Sequence, residues 1–268
     1  MRFKDNFLLN YLKKAPVSLA VERSLECEIL SKQEFVRPIL DIGCGEGIFA
    51  SVLFGEKIEL GIDPSKSGIK RAKECGMYQE AIACCGSRIP KETASFNTIL
   101  SNSALEHIPD IEPVLREANR LLSPQGRFYI TVPAKLYDKY NIAYQLLAFL
   151  RLFGLAERYR LFFNKFWEHY HFYDCEGWIE LFRKTGFKVI KSHEYCRKST
   201  CLLDDAFIPF SFPSFLTKKI FNRWFLLERV REICAYFLYF IFKGIVQEKN
   251  IQKGGLIFFA LEKETKNK

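Results

Sequence analysis

The residues best suited to chemistry begin in the run Ile39-Leu40-Asp41-Ile42-Gly43-Cys44-Gly45-Glu46-Gly47. A short apolar segment runs into Gly-x-Gly-x-Gly and then into a helix-like stretch. Glycines let a chain turn sharply and lie against a ligand, and the helix that follows presents N–H groups without partners of their own. Sixteen residues after Gly47 comes Asp63, at the end of a second apolar segment. A carboxylate there can accept hydrogen bonds from both hydroxyls of a ribose. The loop alone is a weak pattern; with the acid at the next strand end it points to a nucleotide-type ligand. The competing reading is a structural turn followed by a helix-capping Asp. A dinucleotide fingerprint would need its third glycine at position 48, which is Ile48. Glu46 at the helix start is poor company for a pyrophosphate and suits a ligand with an amino or sulfonium cation.

The chain has four histidines, and proton transfer near neutral pH falls to them first. His107 follows an apolar segment that ends at Ser101, where ligands bind at the carboxyl edge of such sheets. Its structural reading is that Glu106-His107 shapes a loop before the next helix. His169 and His171 lie in Trp167-Glu168-His169-Tyr170-His171-Phe172-Tyr173, a segment able to fold over a substrate mouth. There His171 is the candidate proton acceptor, with lid packing as the alternative. His193 reads as a surface residue. A metal site is not expected. The nine cysteines include no Cys-x-x-Cys pair, so neither a zinc site nor a disulfide framework is suggested, and reduced thiols fit a cytoplasmic chain.

The elements that must hold these residues alternate. Residues 38–42, 57–63, 80–84, 96–101 and 127–132 read as strands. Residues 65–73 and 109–122 between them carry helical periodicity, and 16–30 precedes them as an amphipathic helix. Strands alternating with helices predict an α/β fold, a doubly wound and mostly parallel sheet. Beyond residue 134 the rhythm changes. Residues 140–172 are mostly helical in pattern, 176–184 is a helix, and Phe187 to Ile190 begins a strand. Phe207 to Phe215 carries two prolines and is not expected to form a regular helix. Residues 216–247 look helical, and Gly254 to Leu261 is the last strand. The expected organisation is an N-terminal helical cap (1–36), a ligand-binding α/β core (37–133), and a helical lid with a basic, aromatic insertion plus the final strands (134–268).

Charge divides along the same line. Residues 1–134 hold 17 Lys and Arg against 17 Asp and Glu, and residues 135–268 hold 23 against 14. All of the +9 charge, and 31 of the 41 aromatic residues, therefore lie in the second half. Lysines and arginines interleaved with Phe and Trp over 200–250 suit peripheral contact with an anionic membrane or a channel for a lipid-linked substrate. A homodimer interface and a Phe-packed helical cap are the alternatives. Nucleic acid is disfavoured because acids are mixed into the stretch. No apolar run reaches 18 residues, so no spanning helix is expected.

As a set, several motifs resemble the class I S-adenosylmethionine-dependent methyltransferases, and within them the group that includes the ubiquinone/menaquinone-biosynthesis enzymes. They are Leu40 to Gly47 (LDIGCGEG), Gly61 to Ser65 (GIDPS), Cys85 to Pro90, Ser95 to Asp110 (SFNTILSNSALEHIPD) and Leu121 to Pro133. The resemblance implies a seven-stranded sheet whose last strand is antiparallel. It implies S-adenosyl-L-methionine as cofactor. Asp41, Gly43, Cys44 and Gly45 would surround its methionine end, Asp63 would take the ribose hydroxyls, and Pro64 would lie beside the adenine. Cys85 stands where family members often have an Asp for the adenine amino group, leaving that contact to the backbone of Gly86 and Ser87. Asn102 and Ser103 would line the cofactor near its sulfonium. The acceptor expected is small or lipid-linked, an isoprenoid or glycolipid intermediate. The rivals are a sugar or other small acceptor with no membrane role, and a cofactor-binding scaffold without catalysis.

Overall fold

The computed structural model describes residues 1–221, 223–225, 227–244, 251 and 253–264. Its centre is a sheet of seven strands: β1 (Ile39–Ile42), β2 (Ile58–Asp63), β3 (Tyr78–Ala83), β4 (Phe96–Asn102), β5 (Leu122–Pro133), β6 (Phe187–Arg197) and β7 (Gly254–Lys263). The order is β3-β2-β1-β4-β5-β7-β6. The first five strands are mutually parallel, and β7 runs antiparallel to both β5 and β6. The helices are α1 (Phe7–Lys14), α2 (Val17–Leu30), α3 (Ile48–Leu53), α4 (Lys66–Cys75), α5 (Glu112–Leu121), α6 (Ile142–Phe149), α7 (Phe153–Phe166), α8 (Cys175–Lys184), α9 (Lys198–Ala206), α10 (Ile208–Phe221) and α11 (Glu228–Phe242).

Successive strand side chains point to opposite faces, so each strand feeds two cores. Leu40, Ile42, Ile99, Phe128, Ile130, Ile257 and Phe259 pack with Val114 and Leu115 of α5 and Trp178 and Phe182 of α8. Ile39, Leu100, Tyr129, Leu256 and Phe258 join the opposite core with Tyr11 and Leu12 of α1, Leu25 of α2 and Val52 of α3. Burial on both faces explains the unbroken apolar run of β7, which lies between β5 and β6.

The second half departs from the sequence reading in two places. Residues 207–215 do not interrupt a helix: α10 runs from Ile208 to Phe221 with Pro213 inside it. Pro209 falls in the first turn, where a missing N–H removes no intrahelical bond, and only Pro213 removes one. Packing outweighs that loss. Ser211 Oγ meets Ser18 Oγ at 3.0 Å, Phe207 packs edge-on to Phe242, and Phe215 packs edge-on to Trp167 and Trp224. Residues 216–247 are not one helix either. The chain leaves α10 at Phe221 and enters α11 at Glu228; residues 245–247 of that expectation lie outside the described residues. Two smaller corrections concern β3, which begins at Tyr78, and β6, which runs on to Arg197, through His193. His193 is half-buried, its ring 5.2 Å from that of Phe258.

Candidate functional site

The glycine loop leaves β1 and folds back on β2. The N–H groups of Gly43 and Cys44 both donate to Ile62 O at 2.9 Å. Gly43 has φ +79°, and a Cβ there would lie 2.4 Å from Ala104 Cβ, so only glycine fits between the loop and the segment after β4. Gly45 has φ +53°, and a Cβ there would meet nothing within 4 Å, so this backbone is open to a ligand. Asp63, at the end of β2, locks the loop: Oδ2 accepts from Gly45 N at 3.0 Å and Oδ1 from Ser65 N at 2.8 Å. A carboxylate has about four lone-pair positions, so each oxygen keeps room for another donor. Pro64 beside it is exposed.

Asp41 lies beneath the loop, 2% exposed, and accepts from Tyr78 OH at 2.7 Å. Burial pushes its carboxyl up to about 7. The Cys44 side chain is also buried, and desolvation pushes its thiol far up. These two side chains stiffen the loop from behind. After β3, Cys85 is exposed and its Sγ lies 2.8 Å from Ser87 Oγ, a bond that lowers the thiol. A Cβ on Gly86 would lie 3.0 Å from Val114 Cγ1, which holds this turn against α5. Open glycine backbone, a carboxylate with free lone pairs and an exposed turn thus meet at the carboxyl ends of β1, β2 and β3. The set fits a cofactor that carries a ribose and an amino-acid end.

Asn102 and Ser103 are occupied by a residue that the sequence reading missed. Asn102 Nδ2 donates to Glu26 Oε2 at 2.8 Å and Ser103 Oγ to Glu26 Oε1 at 2.7 Å. Arg23 and Tyr195 OH also donate to Glu26, which is fully buried. Ser103 has φ +42°, a left-handed conformation that side chains avoid. The available clue was the pair Glu22 and Glu26, one helical turn apart on α2.

Beside this network lies a cavity of about 230 Å³. Its walls include Glu22 and Arg23 of α2, Glu106 and His107 after β4, Pro133 at the end of β5, His169 beyond α7, and Asp204 of α9. The rings of His107 and His169 are 5.1 Å apart. Burial lowers both, His169 to about 4, so both imidazoles are neutral at pH 7. The candidate His171 is elsewhere: its Nε2 is 2.7 Å from Ile108 O and its ring stacks on Tyr173 at 5.6 Å. It is buried and not on this cavity. On a regular strand residues two apart would share a face. The irregular segment after α7, which turns at Glu168 with φ +54°, instead puts His169 on the cavity and His171 against Tyr173 and Trp178. All nine cysteines are free, and the described residues hold no cluster of metal-ligating type.

A family model described as a methyltransferase domain matches residues 16–192. A sterol 4-C-methyltransferase of Caenorhabditis elegans is 31% identical over 130 residues, covering 44% of this chain and 39% of that protein. A ubiquinone biosynthesis O-methyltransferase of Rhizobium rhizogenes is 28% identical over 127 residues, 43% of this chain and 51% of that one. The matched stretch thus spans about two fifths to one half of these relatives. Among solved structures, a SAM-dependent methyltransferase from Thermotoga maritima superposes with a TM-score of 0.53 and 19% identity, covering 96% of this chain and 92% of that one. A phosphoethanolamine N-methyltransferase from Haemonchus contortus, in complex with S-adenosyl-L-methionine, gives 0.51 and 19%, covering 94% of this chain and 54% of that one. The match over residues 16–192 makes the chain a member of the methyltransferase-domain family, and its seven-stranded sheet has the fold of the SAM-dependent methyltransferases on which it superposes.

Proposed function

We propose that the chain transfers the cofactor's methyl group to a small or lipid-linked acceptor bound in the cavity between α2, α7 and α9. The observation that carries this reading is the position of that cavity. Its walls include Glu106 and His107, just past Ala104, the residue that packs on Gly43 of the cofactor loop. Ligands of open α/β sheets bind outside the carboxyl ends of the strands, and β1, β4 and β5 end here.

The cofactor supplies an activated methyl group, so the protein's part is to position, to dry the site and to receive a proton. Asp63 and the glycine backbone hold the nucleoside and amino-acid ends. The neutral His107 and His169 are the groups able to take a proton from an oxygen or nitrogen nucleophile. Phe163, Trp167 and Phe215 line the cavity and keep water out.

A lipid-linked acceptor is favoured by what surrounds the cavity. The helices that contribute Phe163 and Phe215 also expose Phe162, Phe166, Phe210 and Phe212. Peripheral attachment to a membrane would bring a lipid-borne head group to such a mouth. The test is turnover of isotopically labelled S-adenosylmethionine with separated lipid and water-soluble extracts. Label transferred only into the lipid fraction supports this reading. Label confined to the water-soluble fraction would establish a small acceptor and no membrane role. Cofactor binding without transfer to either would leave a scaffold.

A further inference from the structure

The cavity is lined by carboxyl groups. Glu22, Glu106, Asp204 and Asp205 all line it, and Arg23 is the only Lys or Arg among its lining residues. Arg23 is already engaged, with Glu22 at 3.2 Å and Glu26 at 2.8 Å. His107 and His169 add no charge at neutral pH. An anionic acceptor would meet four carboxyl groups and a spoken-for guanidinium.

The same walls hold polar atoms that no described residue satisfies. Among the described residues, Glu106 Oε2, Asp204 Oδ1 and His169 Nδ1 have no hydrogen-bond partner. Glu106 is 2% exposed. Leaving a buried carboxyl oxygen without a donor is costly, and a structure keeps such an atom where a ligand meets it. Glu22 and Asp205 are partly satisfied, by Tyr137 OH at 3.1 Å and Ile142 N at 2.8 Å. Burial holds Glu106 and Asp204 above the usual carboxylate range against the pull of Arg23, and a cation bound beside them would favour their charged forms. The aromatic rings of Tyr137, Phe163, Trp167 and Phe215 complete the lining, and such rings attract cations.

We propose that the methyl acceptor enters this cavity as a substituted ammonium ion, bound by Glu106 and Asp204 inside the aromatic wall. The inference rests on the reading of the cavity as the acceptor site. A neutral polyol would also supply donors, but it would not favour the charged forms of these carboxyls as a cation does.

Three probes of one shape separate the alternatives: 2-phenylethylamine, 2-phenylethanol and phenylacetate. Each is titrated calorimetrically into the full chain in the presence of S-adenosylhomocysteine. The amine is expected to bind at least about tenfold more tightly than the alcohol, and phenylacetate not at all. Glu106→Gln and, separately, Asp204→Asn should each weaken the amine by about tenfold and leave the alcohol unchanged, in proteins whose circular dichroism matches the wild type. Equal affinity for alcohol and amine, or preference for phenylacetate, would overturn the inference while S-adenosylhomocysteine still binds. An amine that binds as expected, yet neither accepts a methyl group nor inhibits transfer, would instead overturn the reading of the cavity as the acceptor site.

Discussion

Asp63 ties Gly45 to the end of β2, and the proposed role of its remaining lone pairs is to take a ribose. Asp63→Ala should weaken S-adenosylmethionine binding by about 1.5–3 kcal/mol, measured by titration calorimetry, because a charged acceptor for two hydroxyls is lost. The histidines divide differently from their order in the sequence. His169→Ala is expected to lower turnover by about 10²-fold at unchanged cofactor affinity, whereas His171→Ala should lower thermal stability, since its ring is packed on Tyr173 and Trp178. Two buried acids set a pH dependence. Asp41 is raised to about 7 and Glu106 to about 8, each by burial. The folded chain keeps these protons at pH values where the unfolded chain has released them. Each group therefore removes stability as pH rises, by about 1.4 kcal/mol per unit from near pH 4 up to its folded value, and levels off above it. Urea unfolding between pH 5 and 8 should show this decline, and Asp41→Asn and Glu106→Gln should each flatten it.

At the scale of elements, α2 is the helix that joins the cap to the sheet. Glu26 gathers donors from β4, from the residue after it and from β6, over sequence separations of 76, 77 and 169 residues. Glu26→Ala would leave Arg23 buried with Glu22 as its remaining carboxylate, and should cost about 3–5 kcal/mol in chemical denaturation. Glu26→Gln, which keeps the shape, should cost less. None of these pairings is visible in the local pattern of α2, which reads simply as amphipathic. The helix α10 teaches the opposite lesson. Its prolines argued against a helix locally, and contacts with Ser18, Trp167 and Trp224 carried the decision.

Across the whole molecule, the basic, aromatic half reaches the glycine loop and leaves much apolar surface in water. Lys218 contacts Glu46 in the glycine loop, which Arg71 also holds at 2.9 Å. Around the end of α10, Trp224 packs on Phe215 and Phe225 on Arg231, while Phe221 is exposed. The apolar face in solvent is instead on α11, where Val230, Ile233, Phe237, Phe240 and Ile241 repeat at helical spacing. No helix among the described residues is long and apolar enough to cross a membrane. Co-sedimentation with anionic vesicles is expected at low salt and should weaken at high salt. The pair Ile233→Ser and Phe237→Ser should reduce it further, and vesicle binding indifferent to both salt and this pair would assign the face to another partner.

The parts of this protein set by short-range chemistry were legible in the sequence alone. The glycine loop, Asp63, the strand and helix order and the antiparallel last strand follow from spacing, periodicity and motif resemblance, each confined to a few neighbouring residues. Tertiary structure decided the rest, because it depended on which distant residues share a volume. The turn of the segment after α7 selected His169 over His171 for the cavity wall. The docking of α2 took the side chains of Asn102 and Ser103. Glu106 from the sheet edge, Glu22 from the cap and Asp204 from α9 were brought around one cavity. A carboxylate costs little on a solvated helix and becomes a demand for a partner when the fold buries it. Burial is a property of the packed chain, so the chemistry of the proposed acceptor site could be read only there.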